Sequence, residues 1–533
     1  MNQIIIDEFF SNILGRSEHM LCETDVIIRN GSRSVLNIFP QSFFNLLKTP
    51  SVIRMARILQ NGTKVYVYKT PIHTRLEHSK GTYTRTLELL INLYVNDPLV
   101  RSLTKDEHYK KYFIALLIRA ILHDIGHGPF SHTMELVCGL KKGFHEEVGS
   151  LILEKNSDLR ECLDRIYPGL PSLIKEVKDM DFLGLNRLFE GQFDVDRADF
   201  LGRDCCYFAD YETSRRVGEI TDELLKSIRL RKIPAESGER LVPVFPESQL
   251  ANISEFLGVR YTNYRDIYHN PKAEAYDILL REFAQELIKS DEESPLKNFL
   301  KGNIGKRPDE IDLDEYIKFN DVEFFKGIFE VAKKTKNEKL KRLVSLLIPL
   351  DKDLIEGLYY GLLVSFEQMD DDRLRPHVDP VDGSFIKDLG SIINDPESEL
   401  VSLANEYKYG ENVLVLDRND PETVNACKQE ILTLFQKSEN ELSSIGITFT
   451  KSKVTFYKNK PGEEIYIEGS NGEIHEYSSL LGKSNTNLSS EVISLVVLVP
   501  KLRENGIPEE TIEKLKGIID KYSIRIDFII EPV

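Results

Sequence analysis

The chain has 533 residues, of which 41% are hydrophobic and 29% charged, a composition typical of an ordinary soluble protein with one large domain or several smaller ones. Its 69 basic and 86 acidic residues give a net charge of −17. That balance argues against a broad nucleic-acid surface, although it leaves room for a local basic pocket. No apolar run reaches the length of a membrane span, so no membrane association is expected.

The termini and the cysteines point to an intracellular protein. The first ten residues lack a basic region followed by a cleavage site, so we do not expect a signal peptide. The six cysteines show no metal-binding spacing, and the adjacent pair Cys205-Cys206 suits a helix better than a disulfide. The predicted setting is therefore reducing and cytoplasmic.

The first hundred residues predict a mixture of short elements. The turn dipeptide Asn30-Gly31 indicates a hairpin, and Asn61-Gly62 ends a helix that begins at a proline. The expected elements are a hairpin over 24–38, a helix over 50–60, a strand over 65–68 and a helix reaching about residue 95. His78 lies at the start of the last helix, where neutral imidazole, the form that binds metals, is favoured.

The stretch from Arg119 to His132 organises the rest of the chain. Its first part closes the segment 112–122, which is apolar nearly all round and predicts a helix buried on most faces. His123 and Asp124 come at the end of this helix, and the glycines and proline of 126–129 force a turn. Burying an imidazole and a carboxylate at a helix end costs free energy unless a partner binds them.

A divalent metal is the simplest partner, because imidazole and carboxylate are both good ligands. A His-Asp pair standing alone is more often a hydrogen-bonded structural feature of a helix terminus. The surroundings favour the metal, because seven of the eleven histidines lie between His73 and His145. Such crowding indicates one polar site.

A second polar cluster lies at residues 192–204, after a helical region over 155–193 that is broken near Pro168. Its acids are at 194, 196, 199 and 204, with arginines at 197 and 203. On a helix, Asp196, Asp199 and Arg203 share one face. As a lone segment this would be a solvated charged face, but beside a histidine cluster one of the acids becomes a candidate ligand.

Residues 215–249 read as irregular, and 250–290 as a long helical region. That region carries Arg260, Tyr268 and Lys272, whose helical spacing suits either a phosphate and base pocket or an amphipathic helix with snorkelling cations. Residues 295–405 read as further helices. The last 125 or so residues alternate strands with two helices, which indicates a separate α+β unit.

The predicted fold is mainly α. We expect a helical core over 1–400, with the metal site within 50–290 and further helices over 291–400. An appended α+β domain of unknown role is expected over 405–533.

Several motifs, in order, resemble the HD-domain phosphohydrolases, and more closely the deoxynucleoside triphosphate (dNTP) triphosphohydrolases of the dGTPase-like and animal SAM-and-HD-domain types. The matching segments are 75–79 (Arg-Leu-Glu-His-Ser), 123–132 (His-Asp-Ile-Gly-His-Gly-Pro-Phe-Ser-His), 144–147 (Phe-His-Glu-Glu) and 194–204. The resemblance covers roughly residues 20–290 and, more weakly, the helices to about 400. It does not reach the C-terminal α+β unit, which leaves the role of that unit open.

The resemblance implies a catalytic divalent ion, which can be Mn, Fe, Mg or Zn, and assigns roles to individual residues. The implied metal ligands are His78, His123, Asp124 and Asp196. The implied catalytic residues are His132, Glu135, His127 and His145, with His132 as the acid toward the departing 5′-oxygen. The implied substrate contacts are Gln60, Arg75, Arg197, Asp204, Arg260, Tyr268 and Lys272.

The implied reaction yields a deoxynucleoside and tripolyphosphate, and family members commonly form dimers to hexamers. Two departures stand out. Phe200 replaces the usual tyrosine, and residues 48–56 lack much of the segment that binds an activator guanine in regulated members. The alternatives are another HD activity, such as a phosphodiesterase or 5′-nucleotidase, or a nucleotide-binding sensor.

Overall fold

The computed structural model describes most of the first 347 residues and separate segments after them. The described segments are 3–15, 20–26, 34–65, 73–141, 143–209, 211–235, 238–269, 271–347, 359–368, 374–376, 446–455, 462–480, 489–500 and 529–532, with a few single residues between them.

The chain divides into two compact units. The first unit comprises Met1–Asn263, Gly302–Phe325 and Phe456–Asn487, and the second comprises Tyr264–Lys301, Lys326–Thr455 and Leu488–Val533. These boundaries differ from the predicted domains. The segment around residue 466, which the sequence placed in the C-terminal domain, belongs to the first unit.

Helices dominate the described residues, which confirms the mainly α fold class. In chain order they are α1 (Gln3–Leu14), α2 (Gln41–Leu46), α3 (Pro50–Ile53), α4 (Arg75–Asn96), α5 (Pro98–Leu103), α6 (Lys110–Leu122), α7 (His132–Val137), α8 (Phe144–Lys155), α9 (Ser157–Ile166), α10 (Leu170–Asp179), α11 (Arg187–Glu190), α12 (Val195–Phe208), α13 (Tyr211–Ser227), α14 (Leu250–Asn263), α15 (Pro271–Lys289), α16 (Pro295–Asn303), α17 (Leu313–Lys318), α18 (Asp321–Lys334), α19 (Glu338–Leu347) and α20 (Tyr477–Leu480). No described helix combines the length and the apolar character that crossing a bilayer requires.

The strands of the described residues form three sheets. They are β1 (Met20–Val26), β2 (Ser34–Pro40), β3 (Arg229–Ala235), β4 (Gly238–Pro246), β5 (Tyr359–Gln368), β6 (Leu374–Pro376), β7 (Gly446–Thr455), β8 (Tyr466–Glu468), β9 (Ile474–Glu476), β10 (Ser489–Pro500) and β11 (Ile529–Pro532). In the first unit, β1 pairs antiparallel with β2, and a four-stranded sheet has the order β3-β4-β8-β9. In the second unit, a sheet runs β11-β5-β10-β7, and β6 pairs with β5.

Several local predictions are confirmed and three are wrong. The break between α9 and α10 and the start of α4 lie where the sequence placed them. The first hairpin, predicted over 24–38, pairs Met20–Val26 with Ser34–Pro40, and its predicted turn at Asn30-Gly31 lies outside the described residues. Residues 215–249 are not irregular, because they form most of α13 and the β3–β4 hairpin. The predicted helix over 50–60 is only α3 followed by a 3-10 turn, Arg54–Arg57. The predicted helices up to residue 400 give way to strand β5 after α19.

The first unit's core surrounds α6. Every residue of this helix from Tyr112 to Leu122 is buried, as its apolar sequence predicted. Helix α4 packs against α6 and also against α12. Because α6 ends at Leu122, His123 and Asp124 emerge where these three helices meet.

The start of α4 is fixed by a capping box. The Thr74 side chain accepts a hydrogen bond from the backbone N–H of Glu77, and the Glu77 carboxylate accepts one from the backbone N–H of Thr74. Such reciprocal caps satisfy backbone donors that a helix start leaves free. The cap therefore holds His78 in the first turn of α4, facing the end of α6.

Candidate active site

Two histidines and two aspartates from three helix ends meet at one point. His78 Nε2 lies 2.9 Å from Asp196 Oδ1, 3.2 Å from His123 Nε2 and 3.6 Å from Asp124 Oδ2. His123 Nε2 lies 3.4 Å from Asp124 Oδ2 and 3.7 Å from Asp196 Oδ1. The ligand atoms of His78, His123 and Asp196 all lie within 4.8 Å of one another. The structure thus brings the four sequence-predicted metal ligands together.

The donor set fits a divalent cation. His78 Nδ1 faces Asp199 Oδ2 at 2.8 Å, and His123 Nδ1 faces the carbonyl oxygen of Ala120 at 2.9 Å. Because both partners are acceptors, the hydrogen-bond pattern assigns a proton to each Nδ1. The neutral rings then present the Nε2 lone pairs to each other and to two carboxylates, and lone pairs that converge in this way need a cation between them.

The electrostatics favour positive charge at the same point. Burial opposes the charged form of His78, but hydrogen bonds to Asp196 and Asp199 outweigh it and raise its pKa to about 10. Burial also opposes charge on His123, and the Asp124 and Asp196 carboxylates again outweigh it and raise its pKa. The pocket therefore stabilises positive charge, which an ion can supply in place of protons.

Asp199 contacts the predicted ligand His78, a contact that the sequence did not show. One of its oxygens accepts from His78, and its two oxygens accept from Arg203 Nη2 at 3.0 Å and Nε at 3.1 Å. Burial favours its neutral form, but Arg203 and His78 hold the pKa of Asp199 well below its usual range. The spacing of residues 196, 199 and 203 along one helix face was a signal for this arrangement. It could not show that His78 was the partner.

A second cluster of titratable groups adjoins the first. Glu135 Oε1 accepts hydrogen bonds from His145 Nδ1 at 2.6 Å and from the His145 backbone N–H at 3.1 Å, and Glu135 Oε2 lies 3.4 Å from His132 Nδ1. His127 Nε2 lies 3.4 Å from Asp124 Oδ1, which links the two clusters. The structure therefore groups the four residues that the sequence predicted to be catalytic.

The second cluster suits proton and phosphate chemistry better than a second ion. His127, His132 and His145 offer nitrogens within 4.8 Å of one another. However, the His127 and His145 rings stack 3.9 Å apart with 13° between their planes. In-plane lone pairs of two parallel rings cannot converge on one ion. Burial, together with the charge of Arg75, lowers the pKa of His127 well below its usual value, so this ring is neutral.

Arg75 links Asp124, a candidate metal ligand, to the neighbouring loops. Its Nη1 lies 2.6 Å from Asp124 Oδ2, its Nε donates to Ser131 Oγ at 2.9 Å and its Nη2 donates to the Gln60 carbonyl oxygen at 3.3 Å. Arg75 is 4% exposed. Its contact with substrate stays a prediction. Its hydrogen bonds to Asp124, Ser131 and Gln60 hold these three residues in place relative to one another.

Gln60 and Asp204, two of the predicted substrate contacts, are linked through the same neighbouring residues, Asn61 and His73. Asn61 Nδ2 donates to Asp204 Oδ1 at 2.8 Å, and His73 Nε2 lies 3.1 Å from the same oxygen. His73 also stacks on Tyr207 with ring centroids 5.2 Å apart. Gln60 Oε1 is buried without a hydrogen-bond partner among the described residues. Asn61 and His73 had no assigned role in the sequence analysis, although His73 belonged to the histidine-rich region.

Other predicted substrate contacts have protein partners or lie in the other unit. Arg197 donates to the Gly191 carbonyl oxygen at 2.5 Å and pairs with Asp194. Arg260 is buried and donates to Gln192 Oε1 at 3.0 Å. Tyr268 and Lys272 belong to the second unit, so their roles stay predictions. Nothing in the described structure tests any of these four as a substrate contact.

Known proteins give partial matches to this chain. No protein-family model matches it. The uncharacterized protein YwfO of Bacillus subtilis is 27% identical over 239 residues, which cover 44% of this chain and 50% of that protein. A Dictyostelium discoideum protein named as a homolog of the deoxynucleoside triphosphate triphosphohydrolase SAMHD1 is 21% identical over 283 residues, covering 48% of this chain and 50% of its own length. The chain thus spans half the length of both relatives.

Among solved structures, a phosphohydrolase from Bacteroides thetaiotaomicron superposes with a TM-score of 0.58 at 19% identity, covering 90% of this chain and 100% of that one. At this identity the likeness shows the fold. The resemblance to HD-domain dNTP triphosphohydrolases is confirmed. The helical core therefore shares the fold of this phosphohydrolase. The two histidines and two aspartates that meet in it belong to the motifs that carry the resemblance.

Proposed function

We propose that this chain is a metal-dependent hydrolase that converts dNTPs into deoxynucleoside and tripolyphosphate. The observation that carries the proposal is the convergence of His78, His123, Asp124 and Asp196 directly beside a histidine–glutamate cluster. Support also comes from relatives named as dNTP triphosphohydrolases, such as the Dictyostelium protein. The coarser activity, phosphate-ester hydrolysis by an HD fold, has the broader support.

The metal would be held by His78 Nε2, His123 Nε2, Asp124 and Asp196. When bound, a divalent ion in such a site polarises a phosphoryl oxygen and lowers the pKa of a coordinated water. The ligand types do not choose between Mn, Fe, Mg and Zn. Asp196 and His123 have side chains that are 35% and 22% exposed, whereas His78 is 1% exposed, so the open side of the site lies toward Asp196 and His123.

The second cluster would handle the proton of the leaving group. Water oxygen forms a bond to the α-phosphorus, the bond from phosphorus to the 5′-oxygen breaks, and that oxygen needs a proton as it leaves. His132 is the most exposed member of the cluster, with 64% of its side chain accessible, and it can deliver this proton. Glu135 orients His132 and His145 through their Nδ1 atoms, which leaves both Nε2 atoms free to face substrate.

Neighbouring groups would bind the rest of the nucleotide. Arg75 and the neutral His127 lie beside the ligands and can donate to phosphate oxygens. The buried, unpartnered Gln60 Oε1 is an acceptor suited to a sugar 3′-hydroxyl. Asp204 accepts a hydrogen bond from Asn61, the residue that follows Gln60.

A product assay tests this function. The protein is incubated with each dNTP and each NTP plus Mn²⁺ or Mg²⁺ in ¹⁸O-labelled water. We expect deoxynucleoside, and tripolyphosphate that carries the label, because attack is at phosphorus. Nucleoside monophosphate with pyrophosphate, or turnover of phosphodiesters or 5′-monophosphates alone, would replace the proposal with another HD activity. Absence of all turnover would favour a nucleotide sensor.

A pair of variants makes the test specific to the site. Asp196→Asn should abolish turnover and lower the amount of metal that copurifies, because it removes a ligand charge. Asp158→Asn alters an exposed carboxylate in the first turn of α9 and should leave both unchanged. Equal activity in the two variants would contradict the assignment of Asp196.

A further inference from the structure

The loop that carries the second cluster has a strained backbone. Phe130 and Ser131, directly before His132, have φ angles of +56° and +57°, a region that L-residues rarely occupy. Each such residue costs on the order of 1–3 kcal/mol and persists only where the surroundings impose it. The contacts that hold this loop therefore decide where His132 lies.

Asp321, the first residue of α18, supplies one of these contacts. Its Oδ1 accepts the backbone N–H of Phe130 at 2.7 Å. Its Oδ2 accepts the backbone N–H of Leu59 at 2.9 Å, next to Gln60. A single buried carboxylate, 4% exposed, thus joins two backbone segments that are 71 residues apart in sequence and carry different parts of the site.

The two joined segments also pack closely on each other. A Cβ atom on Gly62 would come within 2.5 Å of the Phe130 carbonyl oxygen, so only glycine fits there. Ser131 Oγ donates to the Leu59 carbonyl oxygen at 2.5 Å. The Asp321 carboxylate therefore adds two hydrogen bonds to segments that are already in close contact.

Other residues between 313 and 325 also contact the loop that contains Phe130 and Ser131. The Phe130 ring packs edge-to-face against Phe324 and Phe325, with centroids 5.3 and 5.1 Å apart. Tyr316 donates its hydroxyl hydrogen to the Gly126 carbonyl oxygen at 2.9 Å. The segment therefore contacts the loop at both ends, about 190 residues further along the chain.

We infer that Asp321 is a positioning residue of the active site, which holds the Leu59–Gln60 and Phe130–His132 backbones in register. The inference rests on the proposed function for its kinetic readout. Asp321 touches neither the four metal ligands nor any group that would react, so it acts through the backbone alone. Both backbone N–H groups donate to this one carboxylate.

The first test is kinetic. Asp321→Asn keeps one acceptor oxygen but turns an amide NH₂ toward the other backbone N–H. One of the two hydrogen bonds to the Leu59 and Phe130 amides is therefore lost. We expect kcat for tripolyphosphate release to fall by up to about 100-fold, the scale for displacing a catalytic group by about 1 Å. Metal content should stay at the wild-type level, because no ligand is touched. Unchanged kcat in a folded Asp321→Asn protein would overturn the inference.

The matched control is Asp312→Asn. Asp312 caps α17 in the same segment by accepting the N–H groups of Asp314 and Glu315, and it does not contact the loop. It should lower stability slightly without changing kcat. An equal loss of kcat in both variants would mean that the segment acts only through general stability, which would also overturn the inference.

A readout independent of activity separates this inference from the proposed function. Hydrogen–deuterium exchange should be slow at the Leu59 and Phe130 amides in the wild type. It should become faster in Asp321→Asn and not in Asp312→Asn. If the wild type hydrolyses no dNTP, the proposed function fails. The exchange measurement still tests whether Asp321 holds the Leu59 and Phe130 amides. Unchanged exchange at both amides in Asp321→Asn would refute the positioning role itself.

Discussion

The closest packing constraint at the site is at Gly81 in α4. A Cβ atom built there would lie 1.8 Å from Asp199 Oδ1, 2.3 Å from Asp199 Cγ and 2.5 Å from Arg203 Nη2. Ordinary contacts begin at 3.4 Å, so Gly81→Ala must push the Asp199 carboxylate away by more than an ångström. The 2.8 Å hydrogen bond from His78 Nδ1 cannot survive that displacement.

The expected cost of Gly81→Ala combines opposing effects. Overpacking of a closed site costs about 1–3 kcal/mol, and loss of a buried hydrogen bond to a charged group costs about 1.5–3 kcal/mol. Replacing glycine by alanine within a helix returns about 1 kcal/mol. The free energy of unfolding should therefore fall by about 3 kcal/mol. Bound metal should be lost as well, because His78 is no longer oriented.

Gly202→Ala is the control, because Gly202 lies in helix α12 and a Cβ atom there meets nothing within 4 Å. This change should raise stability by up to about 1 kcal/mol and leave metal binding unchanged. Urea unfolding and metal analysis of both purified variants give the comparison. Equal unfolding midpoints and equal metal content in the two variants would refute the packing argument.

Three further predictions concern the same site. Asp199→Asn keeps an acceptor for His78 Nδ1 but removes the charge, so Mn²⁺ affinity measured by titration should weaken by about 10-fold; unchanged affinity would deny Asp199 this role. Burial favours neutral Glu135, but hydrogen bonds from His132 and His145 hold its pKa well below the usual range, so its stabilising effect is present above about pH 4.5 and declines below it. Glu135→Gln should therefore lower the free energy of unfolding by about 2 kcal/mol at pH 7, with the difference shrinking below pH 4.5; a difference that grows in acid would contradict this. GTP should not strongly accelerate dNTP hydrolysis, because residues 48–56 lack much of the activator-binding sequence; a rate that depends strongly on GTP would show that activation has been rebuilt.

Residues 48–56, which lack much of the activator-binding sequence, contain a buried arginine that contacts the loop after α6. Arg54 is buried, and its Nη2 donates to the Ile125 carbonyl oxygen at 2.7 Å and the His127 carbonyl oxygen at 2.8 Å. Its guanidinium also lies over the Tyr316 ring at 5.7 Å. The 3-10 turn that carries Arg54 therefore supports the loop after α6, which contains Ile125 and His127.

The sequence by itself determined the parts of the protein that depend on local chemistry. A helix that is apolar on nearly all faces had to be buried, and α6 is buried from Tyr112 to Leu122. The Thr74 and Glu77 spacing fixed the start of α4, and the spelling of residues 123–132 indicated the ligand set. The histidine-rich region marked the site because such crowding of polar rings is hard to accommodate in ordinary packing.

Only the tertiary structure decided which residues, distant in sequence, contact the predicted helices and site residues. The periodicity of α12 placed Asp196 and Asp199 on one face but could not show that both face His78. Strand β8 has only three residues, and its parallel pairing with β4 joins it to the first unit. The sequence of so short a strand does not indicate which strand it pairs with. Asp321 contacts backbone N–H groups, which every residue except proline carries, so no side-chain pattern reveals its partners. Long-range pairing of this kind depends on how the chain packs, and it sets where the predicted catalytic groups lie.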